Sequence, residues 1–359
     1  MAQRPAPLSL SDIARAAGVS LTTASRALNN AYGIAPATRE KVLATARRLD
    51  YVVSPDAVRL ARGGTRRVAL VVPHIDRWFF GAMVAGVEDI LAKADVDLLL
   101  YHVGGSDDRR SFFTHLPARR KVDAVIVVAF PVGEAERDRL ALMGVSIVAA
   151  GGQSVEYPYV CIDDYRAGRQ AVDHLVELGH RRIAMIAAHD PDQPGWPARS
   201  GRSEAYVHAL AEIGVPLRNE LIRDVNWGGT NAATAMDDIL DGGDPPTAVY
   251  AHSDELALGV LGSLRRHGLR VPQDVSVVGI DDHPHAGLVD LTTVRQPVRE
   301  QGAIAARLVL DELDGTDTAS VDGGGGSAAV TVHTTLVVRG TTSPPVEHTE
   351  IAADRVSRP

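Results

Sequence analysis

Two sets of residues in this 359-residue chain combine polar chemistry with a spacing that suits a partner. The first is L21-T-T-A-S-R26. At helical spacing Leu21, Thr22, Ser25 and Arg26 point one way, and Ala24, Ala27 and Leu28 point the other. A guanidinium forks onto two adjacent acceptors, hydroxyls donate or accept, and a leucine offers apolar contact. That outer face suits base edges in a DNA major groove. The second set is spread along the chain. P73-H-I-D-R-W-F-F80, A187-A-H-D-P-D-Q-P-G-W-P-A-R-S-G-R202, V225-N-W227 and A251-H-S-D254 each follow a strand-like run. Arg202 and Asp254 can fork onto neighbouring hydroxyls or ring polar atoms. Trp227 and Phe80 can cover the apolar face of a sugar or base, with Trp78 and Trp196 as further aromatic candidates.

Other chemistries lack their residues. No G-x-G-x-x-G follows a strand run, and there is no G-x-x-x-x-G-K-[ST], no G-x-S-x-G and no H-E-x-x-H. Neither an enzyme nor a cofactor or metal is expected. The one cysteine, Cys161, sits in the apolar run Y159-V-C-I162 and reads as a small core residue. It excludes an internal disulfide and fits a reducing compartment. No apolar run is long enough to cross a membrane, and M-A-Q-R-P-A-P lacks an apolar signal region, so the expected location is the cytoplasm.

The elements that must carry the first set are short helices. Leu10, Ile13, Ala14 and Ala17 share one helical face, Gly18 can end that helix, and Ser20 can cap the next. A-T-R-E-K-V-L-A-T-A-R-R-L-D-Y51 reads as a third amphipathic helix, giving a helix-turn-helix head over residues 8–53. Charge follows the same division. Residues 1–66 hold ten Lys and Arg against four Asp and Glu, and the remainder holds 27 against 41. A basic head on an acidic body presents one end to phosphates. Residues 54–66 read as a linker in which Ser54, Pro55 and Asp56 could start a short helix.

The second set needs a different scaffold. From Arg67, apolar runs at 68–72, 97–101, 124–128, 147–150, 182–187, 247–251 and 275–280 alternate with helical segments. Continuous apolar strands between helices indicate parallel sheets covered on both faces, and their number calls for two doubly wound subdomains with a cleft between them. Ligands of such sheets bind beyond the carboxyl ends of the strands, where the second set stands. G-G-G-G at 323–326 reads as a surface loop, and residues 342–359 as a disordered tail.

D12-I-A-R-A-A-G-V-S-L-T-T-A-S-R-A-L-N29, T38-R-E-K-V and L49-D-Y51 resemble the DNA-binding domain of the lactose-repressor/galactose-repressor (LacI/GalR) family. The resemblance resumes with G-I-D-D at 279–282, L-T-T-V-R-Q-P at 291–297 and L-V-V-R-G at 336–340. It implies an α/β protein with a helix-turn-helix head and a periplasmic-binding-protein-like core over 67–341. The first subdomain would be 67–161 plus 293–321, and the second 162–292 plus 322–341. It implies a ligand-responsive transcription regulator, a repressor of carbohydrate-utilisation genes, binding a palindromic operator as a homodimer. DNA contacts would come from Leu21, Thr22, Thr23, Ser25, Arg26 and Asn29, with Leu60 wedged into the minor groove from a hinge helix. The effector, a sugar or sugar derivative, would meet Arg202, Trp227, Asp254, Phe80 and Phe79. A149-A-G-G152 lacks the Asp or Arg that many relatives carry there. D281-D-H-P-H285 falls at a strand-end loop and His180 at a helix end, both read as structural. The alternatives are a nucleoside- or purine-responsive regulator of the same family, a sugar-binding transport protein, and an α/β enzyme.

Overall fold

The structure is a computed structural model that describes residues 8–28, 32–49, 51, 65–129, 132–152, 157–190, 201–314 and 328–346. Asn29, Leu60, Trp196 and nearly all of the expected hinge lie outside the described residues. The chain divides into two compact units, Met1–Arg66 and Arg67–Pro359.

In the first unit, helix α1 spans Leu10–Ala17 and begins at a capping box: Asp12 N donates to Ser9 Oγ while Ser9 N donates to Asp12 Oδ2. Gly18 ends it at φ +65°, a conformation that a Cβ would strain. Ser20 Oγ then accepts from Thr23 N at 3.1 Å and caps α2, Leu21–Leu28. Helix α3, Pro36–Arg48, closes the unit. Ile13, Ala14, Ala17, Ala24, Ala27, Val42 and Ala46 are its buried core, and the alanines allow three short helices to approach closely.

In the second unit, β1 (Arg67–Val72), β2 (Asp97–His102), β3 (Ala124–Val128), β4 (Ser146–Ala150) and β5 (Tyr159–Ile162) form one parallel sheet with β11 (Ala329–Val332), in the order β11-β5-β4-β3-β1-β2. The second sheet contains β6 (Ile183–His189), β7 (Ile222–Asn226), β8 (Ala248–Ala251), β9 (Ser276–Asp281), β10 (Thr292–Arg295) and β12 (Thr335–Val337), in the order β12-β10-β9-β8-β6-β7. Among the described residues only β12 runs antiparallel to its neighbour, β10. Strand order reverses beside β1 in the first sheet and beside β6 in the second. Those switch points open crevices at the strands' carboxyl ends, where the loops at 73–77 and 190 begin.

The helices between the strands are α4 (Trp78–Leu91), α5 (Gly105–His115), α6 (Glu134–Ala141), α7 (Asp164–Glu177), α8 (Gly201–Glu212), α9 (Gly229–Asp241), α10 (Asp254–Arg266) and α11 (Val298–Leu313). Helices α4 and α11 meet backbone to backbone. A Cβ on Gly86 would lie 2.0 Å from the Arg299 carbonyl oxygen, and one on Gly302 2.3 Å from that of Met83. No helix among the described residues is long and apolar enough to cross a membrane.

Three expectations need correction. The crossing expected near 161 follows Ile162, whereas those expected near 293 and 322 follow Arg295 and fall between Val332 and Thr335. Strand β10 therefore belongs to the second subdomain. Residues 329–332, assigned from sequence to the second, pair in parallel with β5 and cover an edge of the first sheet that would otherwise lie open. The tail expected from 342 is also ordered at its start. Ser343 N donates to Ser276 Oγ at 3.0 Å, and its carbonyl accepts from Ser276 Oγ and pairs with His180 Nε2 at 2.9 Å. Ser276 and His180 are buried, so their polar atoms require these partners.

Candidate functional site

The loops after β1 and β6 meet across the cleft. His74 Nε2 hydrogen-bonds Asp190 Oδ2, and Arg77 Nη1 donates to the same oxygen at 3.4 Å. The Arg77 guanidinium also lies over the Trp227 indole, 5.3 Å from its centroid. Trp227 is oriented from below, its Nε1 donating to Glu255 Oε2 at 2.8 Å. Beside these, Trp78 meets the His283 ring at 5.1 Å. A cavity of about 800 Å³ adjoins them, lined from the first subdomain by Arg77, Trp78 and Gly81, from the second by Asp281, and by the crossing residues Gln296 and Pro297.

The second-subdomain wall is built on Arg202. Its Nε donates to Asp164 Oδ1 at 2.7 Å, and its Nη1 donates to the His252 carbonyl. Arg202 and Asp254 both belong to this subdomain, as the division at 162–292 requires, but they do not share one role. Asp254 has no exposed surface. Its oxygens accept from Thr293 Oγ1 at 2.6 Å and His283 N at 2.8 Å, while the adjacent Ser253, not Asp254, caps α10. The carboxylate that interacts with Arg202 and lines the cavity is Asp281, which accepts from Gln296 Nε2 at 2.5 Å. Its position was readable, because it follows V277-V-G-I280 as Asp254 follows V249-Y-A-H-S253. Asp281 is thus the last residue of β9, and only Asp282 onward forms the strand-end loop expected at 281–285.

The aromatic expectations divide similarly. Phe80 is 7% exposed and packs in the first subdomain's core with Leu70, Met83 and Val128, so it supports the cleft rather than facing it. Phe79 is half-buried and lies against Gly151, where a Cβ would come within 2.9 Å of its Cζ. The small residues of A149-A-G-G152 thus make room for a ring.

On the head, Leu21, Thr22 and Arg26 are exposed, and Thr23 and Ser25 are half-buried. The Thr23 hydroxyl is engaged with Ser20 Oγ at 2.8 Å. Arg26 Nη2 donates to the Tyr32 carbonyl at 2.6 Å, so the side chain also anchors the turn after α2.

Residues 9–54 match the family model described as bacterial regulatory proteins, lacI family, and residues 172–342 match a periplasmic binding protein-like domain. The HTH-type transcriptional repressor CytR of Escherichia coli (strain K12) is 31% identical over 337 residues, covering 93% of this chain and 96% of that protein. The chain belongs to the LacI family. Among solved structures, the transcriptional regulator CelR–cellobiose complex is 31% identical with a TM-score of 0.67, covering 93% of this chain and 99% of that one. The lac repressor dimer bound to operator and the anti-inducer ONPF is 24% identical with a TM-score of 0.81, covering 94% and 100%, a likeness of fold. This chain is thus a LacI-family DNA-binding transcription regulator.

The LacI-family core here buries two carboxyl groups, Asp254 and Asp281, and the His252 imidazole. Burial works against the Arg202 charge, but Asp164 and Asp281 outweigh it and hold the guanidinium firmly protonated. Burial pushes Asp281 up to about 7 against the pull of Arg202, and burial likewise pushes Asp254 up to about 6. The two carboxyl groups interact, so their protons belong to the pair. Burial, reinforced by Arg202, holds His252 neutral with a pKa of about 3, and its Nε2 is buried without a protein partner. The sequence reading did not single out His252, Arg77 or Asp190. Only their places after strands β8, β1 and β6 signalled them.

Proposed function

We propose that this LacI-family regulator is a cytoplasmic repressor of carbohydrate-utilisation genes that binds a palindromic operator as a homodimer and releases or tightens on it when an uncharged sugar enters the cleft. Binding without turnover accounts for its residues. The observation that carries the sugar reading is the cavity lined by Asp281 and Arg77, with Arg202 acting on Asp281 and the Trp227 indole lying beneath Arg77. A guanidinium held by Asp164 donates, a carboxyl and the free His252 Nε2 accept or donate, and an indole offers an apolar face. The relative CelR, solved with cellobiose, supports the same class.

In this reading Arg202, Asp281 and Trp227 touch the effector, with Phe79 at its edge, while Asp254 and Phe80 hold the wall from behind. Leu21, Thr22 and Arg26 read base edges. Thr23, Ser25 and Asn29 fix the head on the duplex, and Leu60 enters the minor groove. Linkage carries the signal: a ligand that prefers one closure of the subdomains alters DNA affinity by the same factor by which DNA alters ligand affinity.

The test is a thermal-shift measurement of the full chain with cellobiose, ribose and cytidine, repeated for Arg202→Lys and Asp281→Asn. A sugar should raise the melting temperature of the wild type and lose that effect in both variants. Stabilisation by cytidine alone would replace the sugar reading with a nucleoside one. Sugar stabilisation that persists in both variants would place the effector elsewhere.

A further inference from the structure

The contacts that cross the cleft come from residues that no strand or helix requires to meet. His74 and Arg77 belong to the loop between β1 and α4, and Asp190 directly follows β6. Their side chains are 15%, 24% and 12% exposed, so this is a largely desolvated cluster in which one carboxylate accepts from two donors of the opposite subdomain. The same Arg77 covers the face of Trp227, whose indole is fixed by Glu255. A planar cation therefore occupies the apolar surface that the effector reading assigns to a sugar. The Trp78–His283 contact adds a second bridge between the subdomains.

We propose that His74, Arg77 and Asp190 act as positioning residues: they latch the two subdomains at one closure and seat Arg77 on Trp227, from which an effector must displace it. The inference rests on the effector-cleft reading above for its last clause only. The latch sets the closure angle from which the effector must start, and so the effector concentration at which the regulator responds. A ligand must differ in affinity between two closures to shift them, and a cation already seated on the indole is one source of that difference. Partial burial screens the pair from salt, so it persists at ionic strengths that dissolve exposed ion pairs.

The test uses no effector, so its outcome is independent of the sugar assignment. Spin labels are attached to the full chain through Ser106→Cys and Thr230→Cys, exposed positions that follow the carboxyl ends of β2 and β7 in opposite subdomains. Cys161 is 3% exposed and stays unlabelled. In parallel, acrylamide quenching follows the access of water to the cleft tryptophans. The labelled parent should show one short distance distribution and protected fluorescence. Asp190→Asn and Arg77→Met, which keep side-chain volume, should each lengthen the distance and increase quenching. Asp190→Glu should restore much of the parent's behaviour, which a residue serving only the local fold would not require. A variant that fails to fold leaves the other to decide. Unchanged distance and quenching in a folded Asp190→Asn or Arg77→Met would overturn the latch, whatever the effector proves to be.

Discussion

Replacing Asp281 with asparagine isolates the proton held in the cleft wall. Burial raises the Asp281 pKa from an ordinary 3.8 to about 7, with Arg202 pulling it down and Asp254 pushing it up. Between those values the folded protein keeps a proton that the unfolded chain has lost. The resulting stability is fully present below the unfolded pKa and disappears as the pH rises through about 7. One proton of difference is worth about 1.4 kcal/mol per pH unit. Asparagine stands in for the neutral acid at every pH. The variant's advantage over the wild type should therefore grow by roughly 2–3 kcal/mol between pH 5 and pH 8, the pairing with Asp254 spreading the change over a wider window. Burial lowers the pKa of His174, His180, His252 and His283, and these groups act the opposite way, losing stability as the pH falls through the unfolded histidine value of 6.5. They are common to both proteins and cancel in the difference. Urea unfolding of both at pH 5, 6, 7 and 8, followed by circular dichroism, gives the comparison. A gap that stays constant with pH, or one that shrinks as the pH rises, would refute the buried neutral carboxyl.

Other expectations are more local. Gly86→Ala forces a Cβ toward the Arg299 carbonyl and should destabilise the core by about 1–3 kcal/mol, read as a lowered melting temperature. Truncation after Gly340 removes the partners of His180 Nε2 and Ser276 Oγ, and leaving these buried atoms unpaired should cost about 1–3 kcal/mol each, measured by urea unfolding. Arg26→Ala should weaken operator binding by about 1–3 kcal/mol and random DNA less, by fluorescence anisotropy on both sequences. An equal loss on both would make Arg26 a phosphate contact and an anchor for the Tyr32 turn only.

Legibility in the sequence followed burial. Central strands such as A124-V-I-V-V128 are buried at every position and read directly as apolar runs. Strand β7, I222-R-D-V-N226, is half-exposed at a sheet edge, and only Ile222 and Val225 mark it between charged and polar residues. Strand β11 has the same difficulty, since A329-V-T-V332 fits either sheet until β5 is seen to lack a neighbour. The helix-turn-helix was legible because caps and periodicity are local: Gly18 and Ser20 do what their residue types allow. Side-chain direction at a strand end is not local. Asp254 and Asp281 both follow apolar strands, and only packing sends the first beneath Thr293 and the second toward Arg202 and the cavity. The cross-cleft partners of His74 lie over a hundred residues away, and no pattern within one segment encodes them.

The central claim is that this chain binds a specific DNA sequence and that a small molecule in the cleft changes that affinity. The most direct measurement is fluorescence anisotropy of the full chain on the DNA flanking its own gene and on a scrambled duplex, at one salt concentration, with and without a panel of neutral mono- and disaccharides. The account predicts a site in the flanking DNA bound at least about 10³-fold more tightly than the scrambled duplex, and one sugar shifting that affinity roughly 5- to 150-fold. Equal affinity for the two duplexes, or specific binding that no sugar in the panel alters, would contradict it.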